Sequence, residues 1–321
     1  MIKWKYVHDI SNSFVMHVFP FSPLKMKRRI IYCVIVAFAN VLGACAHVSD
    51  TVEQDVADAV EQDVPDAVGK DAPAGYELVW HDEFDGSSLD GKVWSHEVWS
   101  PGRVNNELQY YVKEVSPAGH RVTELVDGKL NINCFKENGN IYSGRVYANV
   151  NTGWQYGYIE ARILLPKGKG TWPAFWMMPC KVNWATEAWP RCGEIDIMEE
   201  VGCVPNEVSS SLHAQGHNHT NNTQITHAMT IDKAEGEYHV YAMEWTAKKI
   251  TTYVDGKVQL EYNNPNTAST EDPMLNWPYD RPYYIILNLA WGGSWGGMNG
   301  VDESALPVTM KVDYVRVFQK K

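Results

Sequence analysis

Cysteine is scarce in this chain of 321 residues: there are six, and no two stand in a CxxC pair. That excludes a disulfide-dense scaffold and a zinc ribbon. Basic residues are short as well. Lys and Arg number 28 against 39 Asp and Glu, a net charge of −11, whereas a nucleic-acid binder normally carries a basic face. Nucleic acid is therefore excluded as a partner. The apolar run near the N-terminus, Ile30 to Leu42, is too short to remain in a bilayer as a spanning helix. A long amphipathic stretch with helical period is also missing, which argues against a helical bundle. Aromatic residues are abundant instead. With 13 Trp and 17 Tyr, the chain has more flat apolar surface than a core of this size needs.

The N-terminal region reads as a leader followed by a spacer. Met26-Lys27-Arg28-Arg29 supplies a basic start, Ile30 to Leu42 an apolar stretch, and Leu42-Gly43-Ala44-Cys45 a small-residue end. The last four residues resemble the bacterial lipoprotein box, in which the cysteine is lipidated, so Cys45 is expected to be a lipid anchor. Residues 1–25 fit no part of such a leader, and translation is expected to start at Met26. After Cys45, Val52-Glu53-Gln54-Asp55-Val56-Ala57-Asp58-Ala59-Val60 is echoed by the segment from Val60 to Val68, with a proline in the second copy. From Ala46 to Ala74 there are eight acids and one base, too little apolar surface to offset the entropy of ordering. The expected organisation is residues 1–44 as leader, 45–74 as lipidated cysteine and flexible acidic spacer, and 75–321 as one catalytic domain of charge about −9.

That domain reads as all-β. Tyr158 to Pro166, Tyr238 to Trp245 and Lys249 to Val258 alternate apolar with polar residues at period two. Asp255-Gly256 predicts a hairpin turn, and Asp127-Gly128 and Asn138-Gly139 repeat the signal. Regular strands with no second linker point to one antiparallel sandwich.

The chemistry concentrates in Gly193-Glu194-Ile195-Asp196-Ile197-Met198-Glu199-Glu200. Residues two apart in a strand share a face, so Glu194 and Asp196 point one way while Ile195 and Ile197 point into the core. Unbroken alternation would bury Glu199 in the core at high cost. A one-residue bulge near Met198 returns it to the side of Glu194 and Asp196, and leaves Glu200 as the residue on the wrong face. Three carboxylates on one strand suit a metal site, a solvated edge or a glycosidase pair. A hard cation usually recruits loop carbonyls rather than alternate strand residues. Trp172-Pro173-Ala174-Phe175-Trp176 and Trp189-Pro190 offer the aromatic surface that sugar rings need, which favours the glycosidase reading.

The stretch Trp189 to Glu199 resembles the active-site strand of glycoside hydrolase family 16, in the bulged form of its laminarinase-like β-1,3(4)-glucanases. Other segments resemble family signatures in the same order: Trp80 to Gly86, Asn105 to Tyr111, Ser143-Gly144-Arg145, Trp172 to Trp176, Ile286 to Ala290, and Val312 to Val317. The resemblance runs from about Tyr76 to Gln319. It implies a β-jelly-roll sandwich, concanavalin A-like, with a glucan cleft across a concave sheet. It also implies Glu194 as nucleophile, Glu199 as acid/base and Asp196 as the residue that tunes them, in a retaining mechanism whose carboxyls stand about 5–5.5 Å apart.

Asn105, Arg145, Trp176, Trp189, His213, Asn288 and Trp291 match family positions that contact sugar, although Arg145 could pair a structural acid and the tryptophans could be core. Trp291 departs from the smaller residue that many laminarinases carry there. Glu83, Asp313 and the Gly128 carbonyl resemble a structural calcium site; no cofactor is expected for catalysis. His213, His217, His219 and His227 resemble no familiar zinc spacing.

The expected function is a retaining endo-β-glucanase acting on mixed-linkage β-1,3/1,4-glucan, with a laminarin-specific endo-β-1,3-glucanase as the alternative. A catalytically silent glucan-binding surface protein is disfavoured because it would need neither Glu194 nor Glu199. Transglycosylation stays open, since a retaining intermediate can be captured by sugar. Sulfated galactans are disfavoured by the negative charge. The expected partners are a β-glucan polysaccharide and a membrane reached through the lipid anchor only, with the chain a monomer at the outer membrane or cell surface.

Overall fold

The computed structural model describes residues 72–321. The leader, Cys45 and the acidic repeat lie outside the described residues. In chain order the strands open with β1 (Tyr76–Asp82), β2 (Trp94–His96), β3 (Tyr110–Tyr111), β4 (Thr123–Val126), β5 (Lys129–Glu137) and β6 (Asn140–Ser143). Then come β7 (Arg145–Ala148), β8 (Gly157–Leu164), β9 (Thr171–Pro179), β10 (Glu194–Glu200), β11 (Glu207–His213) and β12 (Ile225–Thr230). The last are β13 (His239–Trp245), β14 (Lys249–Val254), β15 (Lys257–Asn263), β16 (Tyr283–Trp291) and β17 (Val308–Lys320).

Each expected hairpin turn forms. Asp127-Gly128 joins β4 to β5, Asn138-Gly139 joins β5 to β6 and Asp255-Gly256 joins β14 to β15. In all three pairs both residues take positive φ, for example 48° at Asp255 and 73° at Gly256. This is the turn whose twist matches that of the flanking strands.

One sheet runs β15-β14-β13-β8-β17-β5-β6-β3, with β1 added to β17 and β4 to β5; the other runs β12-β11-β10-β9-β16-β7-β2. Period-two alternation gives each sheet one apolar face, and the two faces meet. Phe175, Met177, Ile195, Ile197, Leu287 and Leu289 of the seven-stranded sheet share one core with Ile132, Ile159, Ile163, Met243, Val312 and Val315 of the other. The result is an all-β sandwich of jelly-roll type, as the sequence predicts. The opposite face of the seven-stranded sheet carries the polar partners of that alternation, and there the three acids of β10 emerge.

Candidate active site

β10 lies between β9 and β11, and its register breaks at one place. Against β9, Asp196 faces Trp176 but Met198 faces Phe175; against β11, Asp196 faces Ser211 but Glu199 faces Ser209. Ile197 and Met198 are both fully buried, so two consecutive residues turn inward and the alternation resumes one step late. Glu199 thereby joins Glu194 and Asp196, and Glu200, with no exposed surface, goes into the core.

The three acids differ in access. Glu194 and Glu199 are half-buried, whereas Asp196 is 3% exposed. Glu194 sits directly across from His213 on β11. The His213 Nε2 is 3.1 Å from Asp196 Oδ2 and 3.9 Å from Glu194 Oε1. Glu199 Oε1 accepts the indole N–H of Trp172 over 2.9 Å. Burial first, and then the Asp196 carboxyl, push Glu194 and Glu199 up to about 8; burial pushes Asp196 to about 8 as well. Carboxylates this crowded and this dry do not all ionise at neutral pH. The cluster therefore keeps a protonated carboxylic acid available at neutral pH.

Aromatic and polar side chains frame the acids. Trp172 and Trp176, four apart on β9, share the outer face. Trp176 donates its N–H to Asn288 Oδ1 at 2.7 Å, and the Asn288 amide donates to the Tyr111 hydroxyl at 3.1 Å. The guanidinium of Arg145 lies 4.2 Å from the Trp99 ring centre and 4.7 Å from that of Trp176, and pairs with Glu97. At 6% exposure each, Arg145 and Asn288 form a rigid floor that holds Trp176 in place. Of the two rivals, Arg145 has taken the structural acid. On the other side of the acids, Trp189 packs on His213 and His219, with ring centres 6.0 and 4.8 Å away. Asn105 is exposed on the loop before β3, where its carbonyl accepts from the Ser294 hydroxyl at 3.0 Å.

Several site residues went unassigned in the sequence. Trp172 stands four residues before Trp176 on β9, which puts both on one strand face. Glu107, Gln109 and Tyr111 alternate in the same way: Gln109 donates to Glu107 at 2.7 Å, and the Glu107 charge bears on Glu199. Burial raises the Glu107 carboxyl above the usual range. Trp99 and Glu97 carried no signal beyond being aromatic and acidic.

One sequence expectation is corrected. Trp291 is not a sugar contact: it has no exposed surface and belongs to the core. Strand parity is the reason, because Asn288 and Ala290 of β16 face outward and Trp291 alternates to the inside with Leu289. In the set of Glu83, Gly128 and Asp313, both acids meet arginines. Arg316 takes both oxygens of Glu83, at 2.9 and 2.8 Å, and Arg162 takes Asp313 at 2.6 Å. The other histidines are engaged separately: His217 reaches the Tyr279 hydroxyl at 3.3 Å and is pushed down to about 4 by burial, and His227 is exposed on β12.

Known proteins resemble this chain in sequence and fold. The profile of glycosyl hydrolases family 16 matches residues 114–316. A β-glucanase of Rhodothermus marinus is 39% identical over 251 residues, 76% of this chain and 85% of its own. Glucan endo-1,3-beta-glucosidase A1 of Niallia circulans is 35% identical over 271 residues, covering 77% of this chain and only 38% of that longer protein. The crystal structure of a non-specific endo-beta-1,3(4)-glucanase from the same family superposes with a TM-score of 0.70 at 37% identity, covering 78% of this chain and 94% of that one.

Proposed function

The chain belongs to glycosyl hydrolases family 16, and on that footing we propose that it is a retaining endo-β-glucanase that cleaves mixed-linkage β-1,3/1,4-glucan, with laminarin as its second substrate. The observation that carries this reading is the bulge in β10. It leaves Glu194 and Glu199, the two acids with solvent access, on one face with buried Asp196 between them in sequence.

The Glu194 carboxylate attacks the anomeric carbon while Glu199 gives its proton to the leaving glycosidic oxygen, forming a glycosyl-enzyme and releasing one chain end. Water then attacks the same carbon as Glu199 takes its proton, and Glu194 leaves as a carboxylate. Asp196 and His213 flank Glu194, with His213 Nε2 3.9 Å from its Oε1. Trp172, Trp176 and Trp189 provide the stacking surfaces for the sugar rings.

The substrate class is supported by the names of the relatives, a β-glucanase and a non-specific endo-beta-1,3(4)-glucanase. The domain's charge of about −9 disfavours sulfated polymers. We propose further that the domain is tethered by a lipid on Cys45 at the outer membrane or cell surface, a reading supported by the sequence of residues 26–45. Product analysis on barley β-glucan, lichenan, laminarin, xyloglucan and carrageenan tests the substrate. Fastest release of oligosaccharides from the mixed-linkage glucans is expected. Cleavage of laminarin alone would move the assignment to a strict β-1,3-glucanase.

A further inference from the structure

The acids of β10 also meet an imidazole, and that meeting has its own chemistry. Glu194 and Asp196 are two apart on β10, and His213 is the cross-strand partner of Glu194 on β11. Period two and direct pairing put all three on one rigid face. One ligand atom from each lies within 4.8 Å of the other two. The two distances from His213 Nε2, 3.1 Å to Asp196 and 3.9 Å to Glu194, straddle the roughly 3.4 Å between ligands of a tetrahedral zinc with bonds near 2.0–2.1 Å.

A second feature points the same way. Asp196 Oδ2 is buried on a side chain only 4% exposed, faces the imidazole, and receives no hydrogen bond. A buried carboxylate oxygen that receives no aligned hydrogen bond and faces an imidazole at 3.1 Å is poorly compensated, and a cation placed between it and Nε2 removes the cost. From this geometry we propose that Glu194, Asp196 and His213 form a three-ligand site for a borderline divalent cation of the Zn²⁺ type, and that its occupancy blocks hydrolysis. One imidazole with two carboxylates suits Zn²⁺, whereas Ca²⁺ and Mg²⁺ require six or more oxygens or an octahedral shell. The site is most open to solvent on the Glu194 side, where a water would complete the fourth position. The metal would then occupy the nucleophile and the space a sugar ring needs. Binding stands on the geometry alone; only the inhibition rests on the glucanase reading.

The probe is Zn²⁺ itself, titrated calorimetrically into the folded chain. One ion per chain is expected, with His213→Gln weakening binding by at least about tenfold, the scale on which even outer partners of a zinc ligand act. Asp196→Asn serves as an independent variant, and circular dichroism of both establishes that they are folded. Anomalous scattering from Zn²⁺-soaked wild-type crystals is expected to place the ion between His213 and Asp196. Absence of a peak there, or Zn²⁺ affinity unchanged in both folded variants, would overturn the site. Hydrolysis of barley β-glucan should fall with Zn²⁺ and return with chelator. Binding at the site without inhibition would leave the metal site standing and overturn the blocking role.

Discussion

The indole N–H of Trp172 points at Oε1 of Glu199 across 2.9 Å, joining the neighbouring strand to the acid that the bulge turned outward. This bond stabilises the charged form of Glu199 and opposes the upward push from burial and Asp196. It also fixes one carboxyl oxygen, leaving the other for the substrate.

Trp172→Phe keeps most of the ring and removes only the donor. A hydrogen bond to a charged acceptor contributes about 1.5–3 kcal/mol, so kcat on barley β-glucan is expected to fall by about ten- to a hundredfold. Steady-state kinetics read this directly. An unchanged kcat would mean that the bond is incidental.

Replacing either exposed glutamate separates the two roles. Glu194→Gln and Glu199→Gln are each expected to lose more than about a thousandfold in hydrolysis, the order seen when a nucleophile or its proton partner is removed, while still binding glucan in affinity electrophoresis. With azide as replacement nucleophile, Glu194→Ala should yield the α-glycosyl azide and Glu199→Ala the β-glycosyl azide. The reverse pairing would exchange the roles.

The wrong-face acid makes a prediction about stability. Glu200 is fully buried, and burial followed by the nearby Glu235 carboxyl raises its affinity for a proton in the folded state. A carboxyl held protonated by the fold contributes stability that is complete below its unfolded value near 4.5. That contribution is lost as pH rises toward the folded value. Thermal melts between about pH 5 and about pH 9 should show wild type losing stability on the alkaline side and Glu200→Gln losing less. Parallel profiles would contradict the raised proton affinity of Glu200.

For the tether, Cys45→Ala is expected to move the protein from the membrane fraction to the soluble fraction and to abolish labelling by radioactive palmitate. Unchanged membrane retention would refute lipidation at Cys45.

Much of this site was legible in the sequence because alternation and cost acted together. Glu199 could reach Glu194 and Asp196 only through a bulge, and the alternative was a lone acid in the core. The three Asp-Gly and Asn-Gly turns were legible for a similar reason, since few residue pairs accept two positive φ values. Parity alone places Trp291 inside, three residues from outward Asn288, whereas family position places it in the cleft. The arginine partners of Glu83 and Asp313 are 233 and 151 residues away in sequence. No local pattern announces such pairs, because they form only when the sheets assemble. The floor of Arg145, Trp99 and Asn288 was hidden likewise, because it joins β7, β16 and the loop after β2.

The central claim is that Glu194 and Glu199 carry out a double displacement at one carbon. It is tested most directly by following the anomeric protons of the newly formed reducing ends by NMR during the first minutes of barley β-glucan hydrolysis. The β anomer should appear first, with the α anomer growing in only as mutarotation proceeds. Products that emerge first as the α anomer would contradict the account.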